Sequence, residues 1–292
     1  GLSGLYYTRV VGAVFQSARG FALGATLAGA GFAGFAAPLY AQAMVGRFGL
    51  EWVYQGAGLL MVLVAMPLVF LGLSKAPHPR GAHPKASSGP GVSLAEAARD
   101  PRLYLMLVPP LAFGLVASSL IVVIVPALRE RGVDAGTAAV VASLYGVATV
   151  VGRLGGGWLL DRFRPALVGV GVFATAAICT LAFQSELALG AVVAVIAVGL
   201  VNGAEIDIMS FMTVRYFGIG HYGRIFGVAY AVFLGASMVG PFFAGGLMQQ
   251  GGAGSLFLTT SVLLAFSSMA LLVLARIEGR PLAGAAARPA NP

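Results

Sequence analysis

Eight long apolar runs, at 20–45, 51–73, 103–128, 136–158, 166–184, 188–214, 224–248 and 255–275, confine almost all charge to the joins between them. At 1.5 Å per residue each is long enough to cross a hydrocarbon core of ~30 Å. Lipid cannot satisfy a bare backbone, so runs of this length fold as transmembrane helices. Composition agrees: 59% of the residues are hydrophobic and 10% charged, with a mean hydropathy of +0.91. Soluble domains carry about 25% charge. The reading is an all-α polytopic membrane protein. A shorter apolar run at 2–15 looks like the tail of another span, and neither an initiator Met nor a signal-peptide pattern precedes it. The expectation is therefore an N-terminally truncated membrane protein.

Charge bias sets the orientation. Thirteen of the eighteen basic residues fall in alternate joins: Arg19, the 74–102 segment, Arg162 with Arg164, Arg215 with Arg224, and the end of the chain. The intervening joins hold only Arg47, Arg129 and Arg131. The positive-inside rule puts the first set, and the C-terminus, in the cytoplasm. The basic excess is thus a topology signal, and nucleic acid is not an expected partner. The bilayer is, and a bacterial inner membrane is the expected location.

The segment 74–102, rich in Pro, Gly and Ser, reads as a flexible cytoplasmic linker. Within it Ser93 and Glu96 have capping-box spacing for a short helix over 93–99. The glycine pattern opening at Arg19-Gly20 and ending at Pro38 is echoed from Gly223-Arg224 to Gly240-Pro241. Taken as a repeat, it implies two related halves. Residues 1–73 are then the remainder of an N-terminal bundle, 103–276 a complete six-helix bundle, and 277–292 a tail.

The stretch GRLGGGWLLDRFR at 152–164 puts glycines, an Asp-Arg pair and two further arginines at a helix end. It resembles the loop motif of the major facilitator superfamily, G-x-x-x-D-R-x-G-R-R. Gly157, Asp161 and Arg162 match, whereas Arg164 stands where glycine is usual and Pro165 follows. RGFALGATLAGAGFAG (19–34), the GRFGLEWVYQGAGLL join (46–60), AEIDIMSFMTVRYFG (204–218), HYGRIFGVAY (221–230) and GASMVGPFFAGGL (235–247) resemble its monocarboxylate and oxalate:formate antiporter branches. The resemblance implies transport by alternating access. It also implies a substrate arginine at Arg153. Those antiporters carry a lysine where this chain has Phe233, and some monocarboxylate carriers have an acid where it has Thr149.

Arg153 lies eight residues before Asp161, about 12 Å deeper along a helix. A guanidinium there is costly unless it meets water, a carboxylate or the bundle interior. Its planar fork suits a carboxylate; the alternative is snorkelling to the headgroups. Arg9, in YYTRVV, is a second cation within a span and a second substrate candidate, or else the partner of a buried acid. Glu205 and Asp207 are the proton-coupling candidates. Two residues apart, they project about 200° from each other and do not share a site. Asn202 shares the face of Glu205. A salt bridge to Arg153 or Arg215 is the structural alternative for these acids. Asp161, Arg162 and Arg215 are the cytoplasmic gate candidates, or else plain helix stops.

No metal site is expected. His78 and His83 lie in the linker, His221 lies in a turn, and the single Cys179 has no thiol to pair with. The glycines of 152–157 lack the Gly-Lys-Ser/Thr of a phosphate loop. Trp52 and Trp158 fit interfacial anchors. The reading is a carrier, not an enzyme, without a cofactor. It moves a small organic anion, a monocarboxylate first, by proton symport or by exchange. Efflux of another small molecule and a non-transporting sensor on the same scaffold are the alternatives.

Overall fold

The computed structural model describes residues 19–74, 91–185 and 188–277. Arg9, His78, His83, most of the linker and the tail lie outside them. Helix α1 runs over Arg19–Phe48. Helix α2, Leu50–Leu60, passes through a π-helical turn at Met61–Ala65 into α3, Met66–Ser74. The wide turn has a local cause: Pro67 has no N–H, and Met66 reaches back five residues to the Met61 carbonyl. A short α4, Leu94–Ala97, is followed by α5, Pro101–Glu130, and α6, Ala135–Leu160. Helix α7, Pro165–Leu181, ends in a 3₁₀ turn at Ala182–Gln184, and α8 covers Ala188–Phe217. Helix α9, Tyr222–Ile277, breaks at Gly251 and Gly252 into limbs 222–250 and 253–277. Gly252 has φ +65°, a conformation that only glycine adopts cheaply, so the chain reverses there. The described residues contain no strand beyond an isolated bridge between Gly91 and Gly218. Among the described residues six stretches are long and apolar enough to cross a membrane, the α9 stretch being the two-limbed one.

The packing is helix on helix. Helix α5 lies against α9, α6 against α8, α7 against both α8 and α9, and α1 against α6, while α2 touches α1. A membrane interior offers little hydrophobic drive for this, so close backbones and interhelical hydrogen bonds hold the contacts. Ser119 donates to the Gly240 carbonyl at 2.7 Å, joining α5 to the first limb of α9. Ser261 and Ser268 of the second limb donate to Ala177 and Val170 of α7, at 2.6 and 3.0 Å. Helix α1 meets α6 where Gly31 and Gly34 face Gly146; a methyl group on Gly146 would collide with the Gly34 and Phe35 backbone.

At the end rich in basic residues, Ser93 caps α4 and Glu96 returns the bond to the Ser93 N–H at 2.8 Å, so the expected capping box is present. The segment before it docks on the α8–α9 turn, where the Val92 N–H donates to the Phe217 carbonyl at 2.9 Å. Arg102 is buried beside Asp100 and donates to the Ile277 carbonyl at 3.3 Å, which ties the start of α5 to the end of α9. At the opposite end Arg131 donates to the Phe183 and Ser185 carbonyls, with its guanidinium over the Phe183 ring. Phe183 stacks in turn on Phe257.

Asp134 caps α6 by accepting from the Thr137 N–H at 3.0 Å. Thr137, through side-chain and backbone bonds, holds the Asp134 carboxyl below its usual value. A depressed acid stabilises the fold above its unfolded pKa, near 3.9, and loses that contribution as pH falls through its folded value. Asp134→Ala is therefore expected to unfold at lower temperature than wild type at pH 7. The gap should close below about pH 4. Thermal scans across pH check this.

Candidate functional site

The site begins with glycines. Gly152 and Gly156 of α6 and Gly199 and Gly203 of α8 are each four residues apart, one turn of one helix face. A methyl group on Gly203 would strike the Thr149 carbonyl and the Arg153 backbone nitrogen. One on Gly152 would strike the Leu200 backbone, and one on Gly199 the Tyr145 carbonyl. The contacts advance together, 145 with 199, 149 with 203 and 156 with 204, so the two helices run parallel with their backbones touching.

That contact places Arg153 against α8. Its Nε lies 3.7 Å from Asp207 Oδ2 and 3.4 Å from the Gly203 carbonyl it donates to. The two side chains are 18% and 28% exposed, so the pair sits at the edge of the bundle interior. The Nε of Arg153 is thus directed at α8. Only Nε is engaged: Nη1 and Nη2 have no partner among the described residues. One turn earlier, Thr149 accepts from Asn202 at 3.2 Å and donates to the Tyr145 carbonyl at 2.8 Å.

Along the same face of α8, three residues past Asp207, the Ser210 hydroxyl is bonded to the Tyr222 hydroxyl at 2.9 Å. Tyr222 is the foot of a ladder of stacked rings on α9, Tyr222, Phe226, Tyr230 and Phe233, with neighbouring centroids 5.2 to 6.2 Å apart. Phe233 is therefore the top rung of an aromatic ladder.

Glu205 and Asp207 do part company. Glu205 is 3% exposed, on the buried stripe of α8 with Val201, Ile208 and Met212. Its Oε1 has no hydrogen-bond partner among the described residues. Asn202 does not accompany it: the amide turns to Thr149 on α6 while Glu205 enters the core. A residue three positions away is rotated about 60° around a helix, enough to meet a different neighbour.

Two of the gate candidates, Asp161 and Arg162, sit where α6 stops. Asp161 is the C-cap of α6 and makes no ion pair among the described residues. Arg162 donates to the Trp158 carbonyl at 3.2 Å and lies 4.1 Å over the Trp158 ring. Arg215 is on the last turn of α8, away from Asp207 by two helical turns. The structure thus brings Arg153 and Asp207 together and leaves Glu205, Asp161 and Arg215 apart from that pair.

The sequence reading offered a salt bridge from one of the two acids to Arg153 or Arg215; it did not single out Asp207 with Arg153, nor the paired glycine spacings that bring them together. The spacings were visible as two Gly-x-x-x-Gly patterns, a known signal of close helix packing. Gly203→Ala is expected to force α8 off α6 and destabilise by about 1–3 kcal/mol, the range for overpacking. Gly155→Ala, with open space around it, should be neutral or slightly stabilising. Thermal unfolding of both variants in detergent reads the difference.

A solved structure of a major facilitator superfamily transporter, FucP, in its outward conformation, matches 96% of this chain and 73% of its own. The TM-score is 0.57 at 17% identity, a likeness of fold. A bacterial homologue of the human lysosomal transporter Spinster, inward-facing and unoccupied, matches 93% of the chain and 72% of its own, with a TM-score of 0.49 at 17% identity. No curated protein sequence matches the chain. The Major Facilitator Superfamily model matches residues 111–291. With helices of membrane-crossing length on either side of the paired glycines, the chain is an integral membrane protein with a transporter fold, and it belongs to the major facilitator superfamily.

Proposed function

We propose that this protein carries a small organic anion, a monocarboxylate first, and that Arg153 is its ligand. The carrying observation is the half-engaged guanidinium. Nε is held beside Asp207 and the Gly203 carbonyl, while the two terminal nitrogens, the edge that grips a carboxylate in a fork, have no partner among the described residues. An intramembrane cation set this way marks a substrate path by its cost alone. With Phe233, stacked on Tyr230, standing where a second cation would serve a dianion, the reading favours one carboxylate with an apolar body. Arg9 is proposed as a second cation from the other half.

The two halves, the remainder at 1–73 and the six helices at 103–276, rock about the α1–α6 contact in this reading. Asp161, Arg162 and Arg215 form and break gate contacts at the cytoplasmic face, where the C-terminus also lies, in a bacterial inner membrane. Coupling is proposed to run through Asp207. A substrate carboxylate that competes for Arg153 frees Asp207 to take a proton, which makes the cycle a symport. Glu205, buried without a hydrogen bond to Oε1, is the second proton carrier. Exchange without protons uses the same arginine and is the second reading.

The test is counterflow of labelled small carboxylates into proteoliposomes of the full-length protein. Arg153→Lys and Arg153→Gln are each expected to lower exchange at least about tenfold, one decade being about 1.4 kcal/mol. The double variant Arg153→Gln/Asp207→Asn removes both charges, so its loss of exchange with normal unfolding assigns the effect to binding. Wild type that exchanges no carboxylate sinks the organic-anion reading, and no counterflow of any solute favours the sensor. Asp207→Asn is expected to keep exchange while losing uptake driven by a pH gradient. Glu205→Gln with the same phenotype and Asp207→Asn without it would move coupling to Glu205.

A further inference from the structure

A groove runs outside the bundle between α6, α7 and α8, with a volume of about 580 Å³. It plays no part in the anion site: Arg153 and Asp207 are not among its walls. Phe163 stands at one end, Leu167, Gly171 and Thr175 form one wall on successive turns of α7, and Ile196 and Leu200 of α8 form another. Phe163 and Leu167 are exposed large apolar side chains on the outside of the bundle, where the solvent is hydrocarbon. From Leu167 to Cys179 the groove follows α7 for roughly 18 Å, slightly more than one leaflet of a ~30 Å core.

The end at Phe163 is not apolar. Phe163 is flanked in sequence by Arg162 and Arg164, both exposed, against the single acid Asp161. The cation of Arg162 rests 4.1 Å over Trp158, which is itself 54% exposed. An exposed Trp at a helix end marks the headgroup level. The groove is thus a hydrocarbon slot of one-leaflet length whose end residue, Phe163, has two exposed arginines as its chain neighbours.

We infer that this groove between α6, α7 and α8 binds one anionic phospholipid, its acyl chain along α7 and its phosphate at Arg162 and Arg164. Hydrocarbon alone would fill the slot with any lipid; the two arginines select the anionic one, as basic pockets between transmembrane helices do. On the orientation proposed above, the lipid belongs to the cytoplasmic leaflet. The inference does not depend on the carried substrate.

Gly171 supplies the test, since a side chain added there meets nothing within 4 Å and would project into open space. Gly171→Leu should fill the groove without strain and also favour the helix. The full-length protein is taken from nanodiscs of mixed phosphatidylglycerol and phosphatidylcholine into native mass spectrometry. Wild type is expected to retain one phosphatidylglycerol about fivefold over phosphatidylcholine. Gly171→Leu should lower that retention about tenfold. Arg162→Gln/Arg164→Gln should keep a bound lipid but level the preference. Ile178→Ala, on α7 but not a wall of the groove, should behave as wild type. Unchanged retention in Gly171→Leu overturns the inference. So does equal retention of the two lipids by wild type, or loss in Ile178→Ala matching that in Gly171→Leu. A groove-dependent adduct with the mass of a second copy of the chain overturns it as well.

Discussion

The contact of α6 with α8 is the constraint on which the candidate site depends. Two parallel helices normally pack 8–10 Å apart, with side chains between them. Here Gly152, Gly199 and Gly203 leave no side chain to interpose, so backbone meets backbone. The consequence is electrostatic. A guanidinium on one helix and a carboxylate on the other fall within 3.7 Å although 54 residues separate them in the chain. With alanines in place of these glycines the helices would stand further apart, and the Arg153–Asp207 contact would lengthen. An unpaired arginine in hydrocarbon costs several kcal/mol at least. The packing of small residues and the tolerance of a buried charge are thus one property of the fold.

The two ends of the bundle are held by different chemistry. At the basic end Arg102 closes the ring between the start of α5 and the end of α9, and the docked segment at Val92 occupies the α8–α9 turn. At the other end a guanidinium stacked on Phe183, itself stacked on Phe257, holds the short α7–α8 connection. Neither arrangement involves Arg153 or Asp207. Within the described residues, the contacts that fasten the two ends are thus separate from the central pair.

Much of the fold was legible. The eight apolar runs coincide with helices, the last two separated at Gly251–Gly252 as their spacing required, and the Ser93–Glu96 box caps the helix it announced. Spans are legible because length and hydropathy are local properties, and so are caps. The site was only half legible. Helical periodicity says which residues share a face, as with Asp207 and Ser210, but not which helix that face meets. Glu205, an acid among apolar residues in the sequence, is buried in the core. Asp207, equally visible, could be matched to Arg153 only once the register of α6 against α8 was known. The lipid-facing groove was not legible at all, since grooves are made by what three helices omit.

Thr149 stands one turn before Arg153 on α6. A carrier with acid and arginine one turn apart on a single helix keeps that pair through every rigid-body movement of the helix. Here the acid comes from α8, and Thr149 is occupied with Asn202 and Tyr145. The distance between Asp207 and Arg153 therefore depends on how α6 sits against α8. A small slide along the glycine contact, well under a helical turn of 5.4 Å, changes it directly. If, as proposed, Asp207 takes a proton and Arg153 an anion, those two affinities and the register of the two helices form one linked equilibrium. Linkage of this kind is reciprocal: what shifts the helices would alter both affinities, and each ligand would shift the helices in return.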